Sequence, residues 1–412
     1  MSKHSIFLKA YHHPNGRTIH YSAARLRKDP NSPNGTSILD IDDDANPSSN
    51  TIACCPCWIF FYPAGPNRRL LEAVISRYAQ HSFHCERDVL FLCINRPGKG
   101  GTSSNEPAVV VQHDKKLTPE REHIATSCQD IVSILDYYKI SKASLLYMCA
   151  GSSFAYSFAT MFPQRTTGNI VGISSWILRS SSSPVSNKKN DETSTNDDIG
   201  TPSMHSLSHR MAMYGIFGPK WMVSSLAGGI IGSANGLLNI LPKHWTANGF
   251  KKSLSKHERC EFEKQFPEGG GVAFVELMHW IHEDDKDGNV SVFVNNSAGN
   301  EDSNGGFQIT CTGRSDINHK DGDAKDIAVC LSTQQDLGLI YKSTVPPQKN
   351  VFLWHGENDT MISVVGSEWL ASMIPNANLT KVSEGTHQGT MFFFPVDAME
   401  TINRISAKVS SL

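Results

Sequence analysis

The sequence predicts an α/β fold, in which helices flank a mostly parallel central sheet and a mainly helical cap is inserted between two parts of the core. Short, unbroken apolar runs such as 57–62 and 89–94 are typical of strands buried on both faces. Stretches with apolar residues at helical spacing, such as 120–138, separate these runs. Strands that alternate with helices indicate βαβ units and a parallel sheet. The composition becomes irregular and polar between residues 177 and 345, which predicts the insertion.

Three parts are expected along the 412 residues, because a single domain usually contains about 100–200 residues. Residues 1–176 are expected to form the first part of the core, 177–345 the cap, and 346–412 the last part of the core. Within the cap, residues 179–201 and 285–325 are rich in Ser, Asn, Asp and Gly. We therefore expect these two segments to be poorly ordered and dispensable for the fold.

The chain opens with a predicted β-hairpin, whose strands at 5–11 and 17–24 flank an Asn-Gly turn. Residues 28–50 are rich in Asp, Asn, Pro and Ser and are predicted to form a loop. The other predicted strands are 57–62, 89–94, 144–148, 169–174, 351–354 and 378–382. The predicted helices of the core are 69–81, 120–138, 152–161 and 363–374, and those of the cap lie within 206–241, 255–266 and 272–282.

Charge, hydropathy and cysteine content argue against several classes of protein. Lys plus Arg total 38 and Asp plus Glu total 40, so the net charge of -2 argues against a nucleic-acid-binding protein. The sequence has no uninterrupted run of 18 apolar residues, so no transmembrane helix is predicted. No signal peptide is evident. Ten cysteines are too few for a disulfide scaffold. We expect reduced thiols and a cytoplasmic protein, with a peroxisomal location as a weaker alternative suggested by the final Ser-Ser-Leu.

The most informative segment joins a predicted strand to a predicted helix through Tyr147-Met148-Cys149-Ala150-Gly151. This turn resembles the nucleophile elbow, G-x-S-x-G, of the α/β-hydrolase superfamily. Cys149 stands where the family usually has Ser, and Tyr147 stands where it usually has Gly. The resemblance implies an α/β-hydrolase fold of the Cys-Asp-His kind, which dienelactone hydrolases and polyhydroxyalkanoate synthases also contain.

Cysteine suits this position chemically. A helix that begins just after the turn directs its free N–H groups and the positive end of its dipole at the thiol, which favours the reactive thiolate. An adjacent imidazole would complete the activation. The alternative is that Cys149 is only a small buried residue, as free cysteines often are.

Two later segments match the family's order of nucleophile, acid and histidine. A strand followed by H-G-x-x-D resembles the family's acid turn, with Asp359 as the acid and Glu357 as a weaker candidate. Asp359 also suits a solvated turn or a helix N-cap. The stretch around His387, in a loop after the last strand, resembles the catalytic-histidine loop. Asp359 would then orient the His387 ring, whose other nitrogen would face Cys149.

The turn at 62–66, at the end of the strand predicted over 57–62, resembles the loop that supplies one donor of the family's oxyanion hole. Pro63 has no N–H, so the donor is expected to be Ala64 or Gly65, with Ala150 as the second donor. The turn at 96–103 resembles the D-R-P-G-x-G-x-S turn of the family, and it is expected to be structural because it lacks a phosphate-loop Lys-Ser/Thr pair.

We expect no metal and no cofactor. Cys54, Cys55 and Cys57 lack a second ligand pair at the spacing of a zinc site, although His81, His84 and Cys85 could supply one through space. An acidic turn at 284–288 lacks the Glu that closes an EF-hand loop.

Together these features predict a hydrolase of an ester, thioester or lactone, acting through an acyl-enzyme on Cys149. The alternatives are an acyltransferase with the same triad and a non-enzymatic protein with this fold. The expected partner is a small acyl substrate, and the oligomeric state stays open. Apolar cap residues suit either a hydrophobic substrate or packing onto the core, and they are Trp221, Met222, Leu226, Met278 and Trp280.

Overall fold

The computed structural model describes residues 7–28, 36–39, 55–80, 87–103, 118–178, 242–266, 271, 274–275, 277–278, 292–294, 307–309, 320–332, 334–339, 350–392 and 396–408. Several predictions concern residues outside these ranges. They are the poor order of 179–201, the helices within 206–241, the acidic turn at 284–288 and the cap residues Trp221, Met222, Leu226 and Trp280.

The described strands form one large sheet and one small hairpin. They are β1 (Phe7–His12), β2 (Thr18–Lys28), β3 (Thr36–Leu39), β4 (Cys57–Phe61), β5 (Val89–Ile94), β6 (Ala143–Met148), β7 (Thr166–Ile173), β8 (Val292–Val294), β9 (Phe307–Ile309), β10 (Val351–Gly356) and β11 (Ala377–Val382). The large sheet has the order β1-β2-β5-β4-β6-β7-β10-β11, with β3 paired to β2. β8 and β9 pair with each other.

The strand order identifies the fold. β2 is antiparallel to both β1 and β5, and every later neighbour in the sheet is parallel. β5 lies between β2 and β4, so the chain crosses over once before it proceeds outward to β11. This is the strand arrangement of the α/β-hydrolase fold, so the predicted α/β-hydrolase sheet with flanking helices is confirmed, and the helical cap stays a prediction.

Helices cover both faces of the sheet. They are α1 (Arg69–Gln80), α2 (Pro119–Tyr137), α3 (Gly151–Met161), α4 (Lys243–Ser253), α5 (Lys256–Gln265), α6 (Lys320–Leu331), α7 (Gln334–Leu337), α8 (Val364–Met373), α9 (His387–Phe392) and α10 (Val396–Lys408). One apolar cluster packs α2, α3 and α8 onto the sheet. A second cluster packs α1 and α10 onto it. No helix in the described ranges is long and apolar enough to cross a membrane.

Burial explains why the central strands were evident in the sequence. All residues of β4, β5 and β6 are buried, as expected for parallel strands covered on both faces. β11 lies at the end of the sheet, and its residues are half-buried or exposed. α2 begins after Thr118, whose side chain accepts a hydrogen bond from the N–H of Arg121 at 3.3 Å.

Two of the predicted irregular segments contain regular structure. The prediction of a loop over 28–50 was wrong in part, because β3 lies within it. β2 runs to Lys28, beyond the end of β1, and its free edge there pairs with β3. Within 285–325, the β8–β9 hairpin and the start of α6 are likewise regular.

Candidate active site

Cys149 lies at the sharp turn between β6 and α3. Its φ of 49° is in the left-handed region, which non-glycine residues rarely adopt. Its N–H donates to the carbonyl oxygen of Ile173 at 2.8 Å, and its own carbonyl accepts from the N–H of Trp176 at 3.3 Å. These two bonds hold the strained turn in place. α3 begins two residues after Cys149 in the chain.

The turn requires a glycine at its helical end. A Cβ on Gly151 would lie 2.1 Å from the carbonyl oxygen of Phe61, the last residue of β4. Only a residue without a side chain allows this approach. The contact also brings the elbow beside the turn at 62–66, where the predicted oxyanion donors Ala64 and Gly65 lie. Ala150, the third predicted donor, is buried directly before α3.

Tyr147 departs from the family pattern, and Gly172 accommodates it. The two residues are partners across β6 and β7, and a Cβ on Gly172 would lie 2.2 Å from the Tyr147 ring. The Tyr147 hydroxyl is hydrogen-bonded to the Ser175 hydroxyl at 2.7 Å. The bulky residue thus occupies space that a side chain on β7 would otherwise take.

Asp359 and His387 meet although they lie 28 residues apart. The Nδ1–H of His387 donates to Asp359 Oδ2 at 2.7 Å. Asp359 Oδ1 accepts from the N–H groups of Met361 and Ile362 at 3.0 and 2.8 Å. The carboxylate therefore fixes its own turn with one oxygen and orients the imidazole with the other. Glu357, the weaker candidate, is exposed.

Asp359 and His387 are brought together by close backbone contact between the two turns that carry them. A Cβ on Gly356 would lie 2.3 Å from the carbonyl oxygen of Gly385. The N–H of Asn358 donates to the same oxygen at 2.9 Å. His387 follows directly as the first residue of α9, rather than lying within a loop as the sequence indicated.

The His387 ring lies near the Cys149 side chain, which contributes to the raised pKa of His387. Because Nδ1 is engaged by Asp359, Nε2 is the nitrogen left for the thiol. The structure thus brings the three predicted triad residues together, and each is at most 8% exposed.

His387 and Asp359 each stabilise the charged form of the other. Burial opposes the charged form of His387, but hydrogen bonds to Asp359 and Cys149 outweigh it and raise its pKa to about 10. Burial likewise opposes the ionised form of Asp359. Hydrogen bonds from His355 and His387 outweigh that effect and hold the pKa of Asp359 well below its ordinary value. At neutral pH the arrangement therefore holds an imidazolium beside a carboxylate.

His355 is a buried residue of the site that sequence reasoning did not single out. Its Nε2–H donates to the carbonyl oxygen of Ile362 at 2.9 Å and lies 3.4 Å from Asp359 Oδ2. Its Nδ1 is hydrogen-bonded to the Ser367 hydroxyl at 2.7 Å. The H-G-x-x-D pattern contains this histidine, so the signal was present in the sequence.

Glu258, on α5, reaches the site from the predicted cap. The N–H of Thr386 donates to Oε1 at 2.7 Å, and the Thr386 hydroxyl donates to Oε2 at 2.9 Å. The N–H of Ser255 also donates to Oε2, at 2.9 Å, and completes a capping box. A Ser-x-x-Glu pattern signals the capping box, but no local pattern indicates a contact across 128 residues.

No metal centre is evident in the described part of the chain, where no group of three or more His, Cys, Asp or Glu side chains is arranged to hold an ion. Of the cysteines considered as zinc ligands, Cys55 is half-buried and Cys57 is buried. The remaining candidates, Cys54, His81, His84 and Cys85, lie outside the described ranges.

No protein-family model matches the sequence, and no curated protein matches it. Among solved structures, the chain is similar to 2-hydroxy-6-oxo-6-phenylhexa-2,4-dienoate hydrolase from Rhodococcus sp. strain RHA1. The identity is 12%, the coverage is 98% of this chain and 100% of that chain, and the TM-score is 0.49. An enol-lactonase from Burkholderia xenovorans LB400 has 10% identity, coverage of 97% and 98%, and a TM-score of 0.47. At these values the likeness adds no argument about activity, and the fold assignment depends on the strand order.

Proposed function

We propose that this protein hydrolyses a carboxylic ester, thioester or lactone through Cys149, with His387 and Asp359 as its partners. One observation carries the proposal. A cysteine in a strained strand–helix turn lies near a buried histidine, whose Nδ1–H donates to a carboxylate at 2.7 Å. Nucleophile, base and orienting acid in this geometry are the components of acyl-transfer catalysis.

The raised pKa of His387 favours its imidazolium form, and a positive charge beside the sulfur would stabilise a thiolate. The α3 N-terminus adds a favourable potential for the negative sulfur. Asp359 holds the ring in the tautomer that directs Nε2 at the sulfur.

In the first step the thiolate attacks the substrate carbonyl, a C–S bond forms, and negative charge develops on the carbonyl oxygen. Backbone N–H groups of Ala150 and of Ala64 or Gly65 would stabilise this oxyanion, by roughly 3 kcal/mol for each donor. The bond to the leaving oxygen or sulfur then breaks, and the His387 imidazolium supplies the proton. The product of this step is an acyl-thioester on Cys149 and a neutral His387.

In the second step the neutral His387 removes a proton from water as the water attacks the thioester. The carboxylic acid leaves, and the thiolate–imidazolium pair returns. The net reaction consumes one water and cleaves one acyl bond, so no cofactor is required.

The proposal includes residues 177–345 as a cap over the site. Glu258, from this segment, binds the turn that carries His387. Asp326, from the same segment, pairs with Arg96, which binds the turn that carries the predicted oxyanion donors. A cap would exclude water and shape the acyl pocket.

Turnover of 4-nitrophenyl acetate and of a short-chain thioester by three variants tests the proposal. Cys149→Ala should be inactive, and Cys149→Ser should keep the fold but lose most activity, because a hydroxyl is far less acidic than a thiol. His387→Ala should lower the rate by at least about 100-fold. Wild-type turnover in Cys149→Ala would rule out Cys149 as the nucleophile.

Thiol labelling offers an independent test within the same chain. Burial raises the pKa of Cys57, Cys93, Cys128 and Cys330, so these thiols should stay protonated and react slowly. Cys260 is exposed and serves as the internal reference. At about pH 6, iodoacetamide should label Cys149 faster than Cys260, and His387→Ala should abolish that preference. Peptide mapping that finds equal labelling in the wild type would contradict the ion pair.

A further inference from the structure

A buried ionic cluster lies beside the turn at 62–66 and is not part of the triad. Asp326, on α6, is fully buried, and Arg96, Lys99 and His123 from the core surround it. Arg96 Nη1 donates to Asp326 Oδ2, and Lys99 Nζ lies 3.3 Å from the same oxygen. His123 Nε2 lies 3.0 Å from Oδ1. The carboxylate of a cap helix thus joins two core cations.

The same two cations bind the backbone of the turn. Arg96 Nη2 donates to the carbonyl oxygen of Tyr62 and, at 3.3 Å, to that of Pro63. Lys99 Nζ donates to the carbonyl oxygens of Gly65 and Pro66, both at 3.1 Å. Four carbonyl groups of this short turn are therefore directed at one cluster.

The position of Arg96 is further fixed by two aromatic rings. Its guanidinium carbon lies 4.1 Å from the centroid of the Tyr62 ring and 4.2 Å from that of the Phe154 ring. Phe154 belongs to α3, the helix that begins at the elbow. The cluster consequently connects the elbow helix and the turn as well as the cap.

The carbonyl directions determine where the N–H groups of the turn point. A trans peptide places its C=O and the following N–H on opposite sides. No peptide bond in the described residues is cis. Because the Pro63 oxygen faces Arg96, the N–H of Ala64 points away from the cluster. The peptide after Gly65 carries no N–H, since the next residue is Pro66.

The protonation of the cluster agrees with this geometry. Burial would lower the pKa of Arg96, but Asp326 outweighs it and raises that pKa. Burial would raise the pKa of Asp326, but Arg96 and Lys99 outweigh it and hold that pKa well below its ordinary value. The carboxylate and the guanidinium therefore stay charged.

We propose that Asp326 is a positioning residue for the oxyanion hole. By holding Arg96 and Lys99, it fixes the carbonyl groups of the 62–66 turn and aims the Ala64 N–H at the substrate oxygen. Asp326 touches no reacting atom in this role. The inference rests on the proposed function, and it assigns a donor on this turn to the N–H of Ala64.

Two reactions of Cys149 separate this role from a general structural one. Acylation by 4-nitrophenyl acetate passes through an oxyanion and needs the donor. Alkylation by iodoacetamide displaces iodide at a saturated carbon, so it needs the thiolate but no oxyanion hole. The ratio of the two second-order rate constants isolates the effect of the Ala64 N–H.

Four proteins are compared: the wild type, Asp326→Asn, Lys99→Met and Asp130→Asn. Lys99→Met removes the two bonds to Gly65 and Pro66 and leaves Asp326 paired with Arg96, so it decides the test if Asp326→Asn does not fold. Asp130→Asn is the matched control, because Asp130 is a buried partner of Arg17 at 2.7 Å and does not contact the turn.

Asp326→Asn and Lys99→Met should each lower the acylation rate constant at least about tenfold and change the alkylation rate constant less than about twofold. Asp130→Asn should keep the wild-type ratio. The inference is overturned if acylation is unchanged, or if alkylation falls in parallel with it. A wild-type protein that is alkylated at Cys149 but never acylated would instead overturn the proposed function, and this inference would fall with it.

Discussion

Two carboxylates of the segment predicted to form the cap, residues 177–345, reach the candidate site in chemically different ways. Glu258, on α5, accepts three hydrogen bonds from neutral donors, which are the N–H and hydroxyl of Thr386 and the N–H of Ser255. Asp326, on α6, is paired with the cations of Arg96 and Lys99. One carboxylate holds the turn before His387, and the other holds the side chains behind the 62–66 turn.

This difference determines how each contact responds to substitution of the carboxylate. A hydrogen bond between neutral groups and a carboxylate contributes modestly, and an amide can replace part of it. A buried ion pair leaves an uncompensated charge when one partner is removed, which is far more costly. The two contacts should therefore differ in the loss of stability, in the reaction affected and in the dependence on pH.

The largest effect is expected for Asp326→Asn, which should lower the free energy of unfolding by about 3–5 kcal/mol. The thermal unfolding midpoint measures it. Asp136→Asn is the control, because its pair with Arg165 is exposed and should contribute at most about 1 kcal/mol. Because the pKa of Asp326 is lowered in the folded state, its contribution should persist down to about pH 4 and decline below it. Equal midpoints for the two variants would contradict the ion-pair account.

Glu258→Gln should cost about 1–3 kcal/mol, because its amide would present N–H groups to donors. This variant should slow both acylation and alkylation of Cys149, since Glu258 acts through the turn that carries His387. Asp326→Asn should slow acylation alone. Glu261→Gln, on the same helix, is the control, because Glu261 forms a local pair with Lys264 at 2.6 Å. A normal alkylation rate in Glu258→Gln would remove the distinction between the two carboxylates.

The buried charge of His387 can be tested through the dependence of protein stability on pH. The folded-state pKa of His387 is about 10, above its ordinary value near 6.5. Its contribution to stability is therefore complete below about pH 6.5 and is lost as the pH rises towards 10, at up to about 1.4 kcal/mol for each pH unit. The difference in unfolding midpoint between the wild type and His387→Gln should shrink over that range. A constant difference would show that the pair does not retain the proton.

The smallest effect is expected when each of two helical glycines, Gly249 and Gly389, is replaced by Ala. A Cβ on Gly389 would lie 1.8 Å from Glu258 Oε1, whereas a Cβ on Gly249 meets nothing within 4 Å. Gly249→Ala should therefore stabilise the protein by about 0.5–1 kcal/mol, the usual gain at a helical glycine. Gly389→Ala should lose that gain and displace Glu258 from Thr386. Thermal midpoints that rise equally in both variants would show that the α5 contact is not close.

Much of the site was evident from local sequence. β5 was predicted with the bounds that the structure has, and β4 and β6 differ from their predictions by one residue at one end. The continuous apolar runs of these strands lie at the buried centre of the sheet, where local pattern and tertiary environment agree. The sharp turn at Cys149 was also evident, because it requires small residues at fixed positions.

Other elements carried too weak a local pattern. β3 has four residues, and it forms only because β2 extends beyond β1 and offers a free edge. α4 was not predicted, since Ala247 is the one buried side chain among its described residues and no apolar stripe marks it. His387 was assigned to a loop because the helix that it begins, α9, has only six residues.

Residue type and chain order, which need no coordinates, established the α/β class, the strand–turn–helix around Cys149 and the order of Cys149, Asp359 and His387. Each follows from short-range rules, because buried strands must be apolar and a tight turn must be built from small residues. The anchoring of the site by Glu258 and Asp326 emerged from the folded arrangement alone. Their partners lie 128 and up to 230 residues away along the chain. A buried carboxylate is tolerated only where donors or cations surround it, and which groups surround it depends on how the segments pack.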